Sequence, residues 1–77
     1  MEQKIKQTGI DIGGNIRRVR KEKGIGQTEL VRMLQLRGVN MTRETLVKIE
    51  RGIQHIIGTH LSGIRDCLGT SYDELLK

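Results

Sequence analysis

Residues 27–52 are the part of this chain that most restricts its fold. They read QTELVRMLQLRGVNMTRETLVKIERG. Apolar side chains recur at helical spacing on both sides of Gly38, whose freedom to adopt a positive φ suits a turn. The residues expected to face inward are Leu30, Val31, Leu34, Leu46, Ile49 and Ile53. The segment therefore predicts two short amphipathic helices joined by a turn, which is a helix-turn-helix.

Two further helices are predicted before and after this segment. One helix is predicted over about residues 13–23 and another over residues 59–68, and each has apolar side chains at the spacing of one helix face, the first of them just before the first helix. These side chains are Ile12, Ile16, Val19, Leu61, Ile64 and Leu68. Within the helix-turn-helix, Gly26 is placed at the start of the first helix and Thr42 is placed to cap the second.

A fifth, short helix is predicted at the end of the sequence. Ser71 and Glu74 have the spacing of a capping box. Its apolar side chains, which are expected to cover the core, are Tyr72, Leu75 and Leu76. Five short helices with short connections predict an all-α domain over residues 9–77, preceded by a flexible polar segment at residues 1–8.

The composition restricts both the core and the compartment. The chain of 77 residues has no Phe or Trp and one Tyr, so the core must be built from Ile, Leu, Val and Met. The one cysteine, Cys67, cannot form an internal disulfide and is expected to be a small buried side chain in a cytoplasmic protein. No apolar run approaches the length of a membrane span, so no membrane association is predicted.

The charge is positive and unevenly distributed. Fourteen Lys and Arg against nine Asp and Glu give a net charge of +5. Twelve of the fourteen cations and six of the nine acids lie in residues 1–52. Such a basic region favours a polyanion partner, and with a helix-turn-helix that partner is double-stranded DNA. The alternative is a surface whose charge serves only solubility.

Three stretches occur in order along the chain: IGGNIRRVRKEKGIGQTEL, TRETLVKIERG and LSGIRDCLGTSYDELL. They contain an Arg shortly before a Gly, then Gln-x-x-Leu, then Ile-Glu-x-Gly, then Leu-Gly-x-Ser-x-x-x-Leu. With the apolar positions between them, they resemble the Cro and phage-repressor family of helix-turn-helix proteins, also called the Xre family. The resemblance covers about residues 12–76. It implies a five-helix, lambda-repressor-like DNA-binding domain.

The resemblance also implies roles for residues outside the second helix of the motif. The family's structural ion pair falls on Arg20 and Glu50. Glu50 lies at a helix C-terminus, where the dipole disfavours an anion, so it requires a cationic partner. The family's phosphate-binding position falls on Gln27, and Arg32, about one turn further, is placed for the same DNA backbone. For Arg32 the alternative is a solvated helix face.

The base-reading positions implied by the family fall on Arg43, Glu44 and Lys48. An arginine suits a guanine edge, and a glutamate accepts a hydrogen bond from a cytosine amino group. Thr42 and Thr45 flank these positions, and Arg51 is placed to contact the DNA backbone, as are the following Gln54 and His55. Glu44 and Lys48 also have the spacing of an ion pair within one helix, and that reading stays open beside the first.

Three features depart from the family pattern. Residues 35–41 lengthen the stretch between Leu34 and Thr42, which predicts a longer first helix or a wider turn, with Val39 and Met41 filling the space beneath. Val31 stands where the family favours Ala. Gly63 and Arg65 predict a fourth helix that is less tightly packed, or an arginine that faces a partner.

The function favoured by these observations is a sequence-specific transcriptional regulator, most simply a repressor that blocks promoter access. Exposed members of the apolar set Ile53, Ile56 and Ile57 would provide a homodimer contact. The alternative is a protein-interaction module, such as the antitoxin of a toxin–antitoxin pair. No catalytic constellation, metal-ligand spacing or phosphate-binding loop is present, so no enzyme activity, cofactor, metal or small-molecule effector is predicted.

Overall fold

The structure, a computed structural model, describes residues 9–77 and the backbone of residues 4–5. The elements in chain order are β1 (Lys4–Ile5), α1 (Ile12–Glu22), α2 (Gln27–Leu36), α3 (Arg43–Glu50), β2 (Ile56–Ile57), α4 (Gly58–Leu68) and α5 (Tyr72–Leu75). The expected helical fold with five helices is confirmed, and α1 and α4 each begin one residue earlier than predicted. Of the segment expected to be flexible, residues 1–3 and 6–8 lie outside the described residues.

Side-chain caps fix where three of the helices begin. Asp11 Oδ1 accepts a hydrogen bond from the backbone N–H of Gly14 at the start of α1, at 2.9 Å. The hydroxyl of Thr42 accepts from the N–H of Thr45 at 3.1 Å, and that of Ser71 accepts from Glu74 at 3.3 Å. Each cap satisfies a backbone donor that the first turn of a helix leaves without a partner.

The core is aliphatic and takes side chains from every helix. Its fully buried members include Ile12, Ile16, Leu30, Leu34, Met41, Leu46, Ile49, Ile56, Ile64 and Leu75. Among the described elements, α1 packs against α3 and α5, and α2 packs against α3 and α4. In this arrangement the inner face of α3 lies on the core and its other face is left to solvent.

Two glycines allow helices to approach closely. A Cβ on Gly13 would overlap the backbone carbonyl of Ile49 and lie 2.9 Å from that of Glu50, so the start of α1 rests on the end of α3. A Cβ on Gly63 would lie 3.0 Å from side-chain carbons of Leu34 and Val39. The prediction that Gly63 loosens the fourth helix was therefore wrong, because this glycine brings α4 close to α2 and the turn that follows it.

The turn of the helix-turn-helix is wide, and buried apolar side chains fill the space beneath it. Helix α2 ends at Leu36, and six residues precede α3. Val39 and Met41 are buried beneath this turn, as predicted. The amide of Gln35 donates to the backbone carbonyl of Met41 at 3.0 Å, and His60 Nε2 lies 3.1 Å from the carbonyl of Asn40. These contacts hold the enlarged turn against α2 and α4.

A short strand pair was not predicted. The two-residue strands β1 and β2 pair antiparallel, with Lys4 opposite Ile57 and Ile5 opposite Ile56. Ile56 is fully buried, whereas Ile57 is half-buried. The pair places the backbone of residues 4–5 beside the segment that leads into α4.

Three apolar side chains are more exposed to solvent than expected. Ile53 was predicted to point inward but is 65% exposed. Gly52 ends α3 with a φ of 76°, so Ile53 leaves the helical face that carries Ile49. Tyr72 and Leu76 lie at the edge of the core, and the guanidinium of Arg65 is 4.5 Å from the centre of the Tyr72 ring.

Within the described part of the chain, none of the helices has both the length and the apolar character that crossing a bilayer requires.

Candidate nucleic-acid interface

Helix α3 presents a charged face to solvent because its opposite face is anchored in the core. Leu46 and Ile49 are fully buried. The first residue, Arg43, begins the helix directly after the Thr42 cap, and the hydroxyls of Thr42 and Thr45 are 3.0 Å apart. The four exposed charged side chains on and just after this helix are Arg43, Glu44, Lys48 and Arg51.

The C-terminal end of α3 is held by a buried ion pair. Arg20 Nε donates to Glu50 Oε2 at 2.8 Å and Arg20 Nη2 donates to Glu50 Oε1 at 3.0 Å, with side chains 8% and 1% exposed. Arg20 Nη1 also donates to the backbone carbonyl of Ile25 at 2.9 Å. This bidentate geometry fixes α1, the α1–α2 connection and the end of α3 relative to one another.

Gln27 completes this network. Its amide Nε2 donates to Glu50 Oε1 at 3.1 Å, so the first residue of α2 is linked to the last residue of α3. An amide nitrogen has two N–H groups, and this contact uses one of them. Gln27, proposed from the sequence for phosphate, is therefore oriented from within the protein by the same carboxylate that Arg20 binds.

The cations of the α3 face are unpaired within the described part of the chain. No ion pair involves Arg43, Lys48 or Arg51 there, and Arg32 on α2 is likewise exposed without one. Three arginines outside this face, Arg18, Arg37 and Arg65, have carboxylate partners within 4.0 Å. Positive charge that is not compensated within the protein attracts a polyanion.

The ion pair that the spacing of Glu44 and Lys48 allowed does not form among the described residues. Both side chains are exposed at neighbouring turns of α3. The carboxylate and the ammonium are thus both available to a ligand at this face.

A shallow groove lies along the exposed face of α3 and is here called the α3 groove. It is lined by Arg43, Glu44, Val47, Lys48, Arg51 and Ile53. The four charged members were predicted from the sequence as site residues. Sequence reasoning missed the other two, since Val47 was not considered and Ile53 was expected to point inward or, if exposed, to form a dimer contact. Neither Arg32 nor Gln27 lines this groove.

Nothing in the described residues resembles a metal centre. No group of three or more His, Cys, Asp and Glu side chains comes together there to hold a metal ion. Cys67 is buried, and burial raises the pKa of its thiol, which disfavours the reactive thiolate. The chemistry that the α3 groove offers is hydrogen bonding and charge: guanidinium, ammonium and carboxylate groups on a fixed helix.

Neither a protein-family model nor a curated protein sequence matches the chain. Among solved structures, the chain is similar to the crystal structure of the clp gene regulator ClgR from C. glutamicum. The TM-score is 0.73 at 26% sequence identity, and the match covers 84% of this chain and 78% of the ClgR chain. The fold is therefore that of a small helical helix-turn-helix domain, and it extends over most of both chains.

Proposed function

We propose that this protein is a sequence-specific DNA-binding regulator of transcription that inserts α3 into the major groove. A helix fits that groove, and in a helix-turn-helix the second helix makes the base contacts. The observation that carries the proposal is the α3 face itself. On and just after this helix, three cations and one carboxylate that have no ion-pair partner among the described residues face solvent, while its other side is anchored by the core and by the Arg20–Glu50 ion pair. The structural similarity to the gene regulator ClgR supports this proposal.

In this proposal Arg43, Glu44 and Lys48 read base edges. The guanidinium of Arg43 matches the O6 and N7 acceptors of guanine, and Glu44 accepts from the amino group of cytosine. Lys48 contacts guanine or a phosphate. Thr42 and Thr45 sit beside the bases at the start of α3, where their mutual hydrogen bond fixes both hydroxyls.

Contacts to the DNA backbone come from residues at the edges of the helix-turn-helix. Gln27 directs its second amide N–H to a phosphate at the N-terminus of α2, where aligned backbone N–H groups also favour an anion. Arg32 and Arg51 supply charge to phosphates. Such contacts fix the register of the protein on the duplex without carrying sequence information.

The regulator binds as a homodimer, at least on DNA, and acts as a repressor by occupying promoter sequence. A symmetric dimer places two α3 helices about 34 Å apart, which predicts a palindromic operator. No metal, cofactor or small-molecule effector enters this mechanism.

The experiment is selection from a pool of random-sequence duplex DNA, followed by affinity measurement on the enriched site. Wild type is expected to enrich a palindrome, and Arg43→Ala is expected to lose the preference at one base position in each half-site. Arg17→Ala is the matched control, because Arg17 is an exposed arginine on α1 without an ion-pair partner among the described residues. It removes the same charge and should keep the sequence preference. Binding that is salt-sensitive and equal for all sequences would refute the proposal.

A further inference from the structure

The α3 groove contains two apolar side chains among its charged ones. Val47 is half-buried on α3, and Ile53 is 65% exposed on the segment just after it. A single exposed isoleucine on a protein surface requires no explanation. Here, however, Val47 and Ile53 line one groove together with Arg43, Lys48 and Arg51. An apolar contact surface inside a cationic groove is suited to a polyanion that carries an apolar group.

Ile53 reaches this groove because of the residue before it. Gly52 has a φ of 76°, which ends α3 and turns the chain away from the core. The backbone N–H of Ile53 donates to the carbonyl of Lys48 at 3.1 Å, so the turn itself is hydrogen-bonded to the helix. The position of Ile53 beside α3 is thus fixed by the helix end.

We propose that Val47 and Ile53 form a contact for the C5-methyl group of a thymine in the operator, which makes them specificity-determining residues. This inference rests on the proposed function. The thymine methyl is the apolar group that the base edges present in the major groove, and it distinguishes an A·T pair from the others there. In the proposed function Arg43, Glu44 and Lys48 read polar base edges, and Val47 and Ile53 add a preference that hydrogen bonds do not supply.

A second copy of this chain is a weaker occupant for the same surface. In a symmetric contact the groove would face its own copy, which brings Arg43, Lys48 and Arg51 of one molecule towards the same cations of the other. Like charges placed together disfavour such a contact. DNA instead supplies the negative charge that these side chains lack within the described part of the protein.

The test removes the methyl group from the DNA and leaves the protein intact. After selection of the operator, each thymine is replaced singly by deoxyuridine, which keeps the base-pairing groups and lacks the methyl. Affinities of the wild-type protein are then measured by fluorescence anisotropy at fixed salt. At one thymine in each half-site, the loss of one buried methyl group is expected to weaken binding about fourfold.

Variants then identify which side chains make the contact. Val47→Ala and Ile53→Ala should each bind thymine and deoxyuridine operators with nearly equal affinity at that position, whereas wild type discriminates. Leu36→Ala is the matched control, because Leu36 is an apolar side chain 82% exposed at the end of α2 and does not line the groove. It should keep the full discrimination. Ile53 is mostly solvent-exposed, so Ile53→Ala should remain folded, which circular dichroism checks.

The outcomes separate the two proposals. Failure to enrich any sequence refutes the proposed function, and the methyl contact fails with it. An enriched operator that tolerates deoxyuridine at every thymine, or that has no thymine in its half-sites, overturns the methyl contact alone. Unchanged thymine preference in Val47→Ala and Ile53→Ala would also overturn it. If Ile53→Ala altered the dimer equilibrium while the thymine preference persisted, Ile53 would be a subunit contact.

Discussion

Arg20 and Glu50, thirty positions apart in the sequence, form a buried ion pair with two hydrogen bonds of 2.8 and 3.0 Å. The pair joins α1 to the last residue of α3, and Gln27 adds a third donor to the same carboxylate at 3.1 Å. No buried side-chain nitrogen or oxygen in the described part of the chain lacks a hydrogen-bond partner. The orientation of α3, and with it the proposed DNA-reading face, therefore depends on a polar network that is complete.

Removal of Arg20 should destabilise the protein strongly. In Arg20→Ala the carboxylate of Glu50 stays buried with Gln27 as its remaining side-chain donor, and breaking a buried pair in this way costs about 3–5 kcal/mol. Thermal and urea denaturation followed by circular dichroism measure the loss. Arg17→Ala, an exposed truncation on the same helix, should change the free energy of unfolding little. A melting temperature for Arg20→Ala close to that of wild type would contradict the expectation.

Gly13 should not tolerate a side chain. A methyl group there would overlap the carbonyl of Ile49, and backbone on both sides of the contact leaves little room for adjustment. Gly13→Ala is expected to lower the free energy of unfolding by about 1–3 kcal/mol, as is typical of overpacking. In Gly58→Ala the new methyl group meets no atom within 4 Å, so this control should be neutral or slightly stabilising. Equal melting temperatures for the two variants would show that α1 and α3 can separate.

Local signals in the sequence predicted the helices well. The caps at Thr42 and Ser71 and the glycine after Leu68 mark helix ends through hydrogen bonds or φ angles that involve only near neighbours. Periodicity likewise gave most of the core, because a helix face is a repeat along the chain. The Asp11 cap was missed although its signal, an Asp just before an apolar stripe, is present.

Features that depend on distant parts of the chain were not predictable in this way. The β1–β2 pair joins two-residue strands more than fifty positions apart, which is too short for an alternating pattern. The close approach at Gly13 becomes visible only when the path of α3 is known. The error at Ile53 was instead a local one: Ile53 has helical spacing from Ile49, but Gly52 ends the helix between them, so the spacing alone predicted a buried side chain where the structure has an exposed one. Ile53 was missed as a member of the α3 groove for that reason, whereas Val47 was not considered.

The Thr42 cap should contribute to stability independently of any DNA contact. Its hydroxyl accepts the hydrogen bond from the N–H of Thr45, which Thr42→Ala removes. The free energy of unfolding should fall by about 0.5–2 kcal/mol, the usual effect of losing such a cap. Thr42→Ser keeps the oxygen and should retain most of the stability. Urea denaturation without DNA distinguishes the two, and equal losses in both variants would exclude the cap as the cause.

The pKa of the Glu74 carboxyl group should lie below its ordinary value. The ammonium of Lys77 lies 2.9 Å from Glu74 Oε2, and its hydrogen bond and charge hold the pKa of Glu74 below the ordinary value of 4.5. Arg18, at 3.4 Å, acts in the same direction. A carboxyl whose pKa is lowered on folding stabilises the protein above its unfolded pKa, and this contribution disappears as the pH falls through the folded pKa.

Carbon-detected NMR titration measures this directly. The pKa of Glu74 should rise towards 4.5 in Lys77→Gln, because the largest cause of the shift is removed. Glu74→Gln should therefore reduce stability slightly at neutral pH and have no effect below the folded pKa. An unchanged Glu74 titration in Lys77→Gln would show that the Lys77 contact is not formed in solution.

Arg32 and Arg43 should affect DNA binding in different ways if the proposed function is correct. Arg32 lies outside the α3 groove, and as a phosphate contact it contributes charge without reading bases. Arg32→Ala should weaken binding to all sequences alike and reduce the slope of log affinity against log salt by about 1. Arg43→Ala should instead lose about 1–3 kcal/mol of discrimination at one base position. Titrations over a range of salt concentrations, on the operator and on a scrambled duplex, separate the two effects. If Arg32→Ala weakened operator binding alone and left scrambled DNA unaffected, Arg32 would read sequence and α2 would lie closer to the bases than proposed.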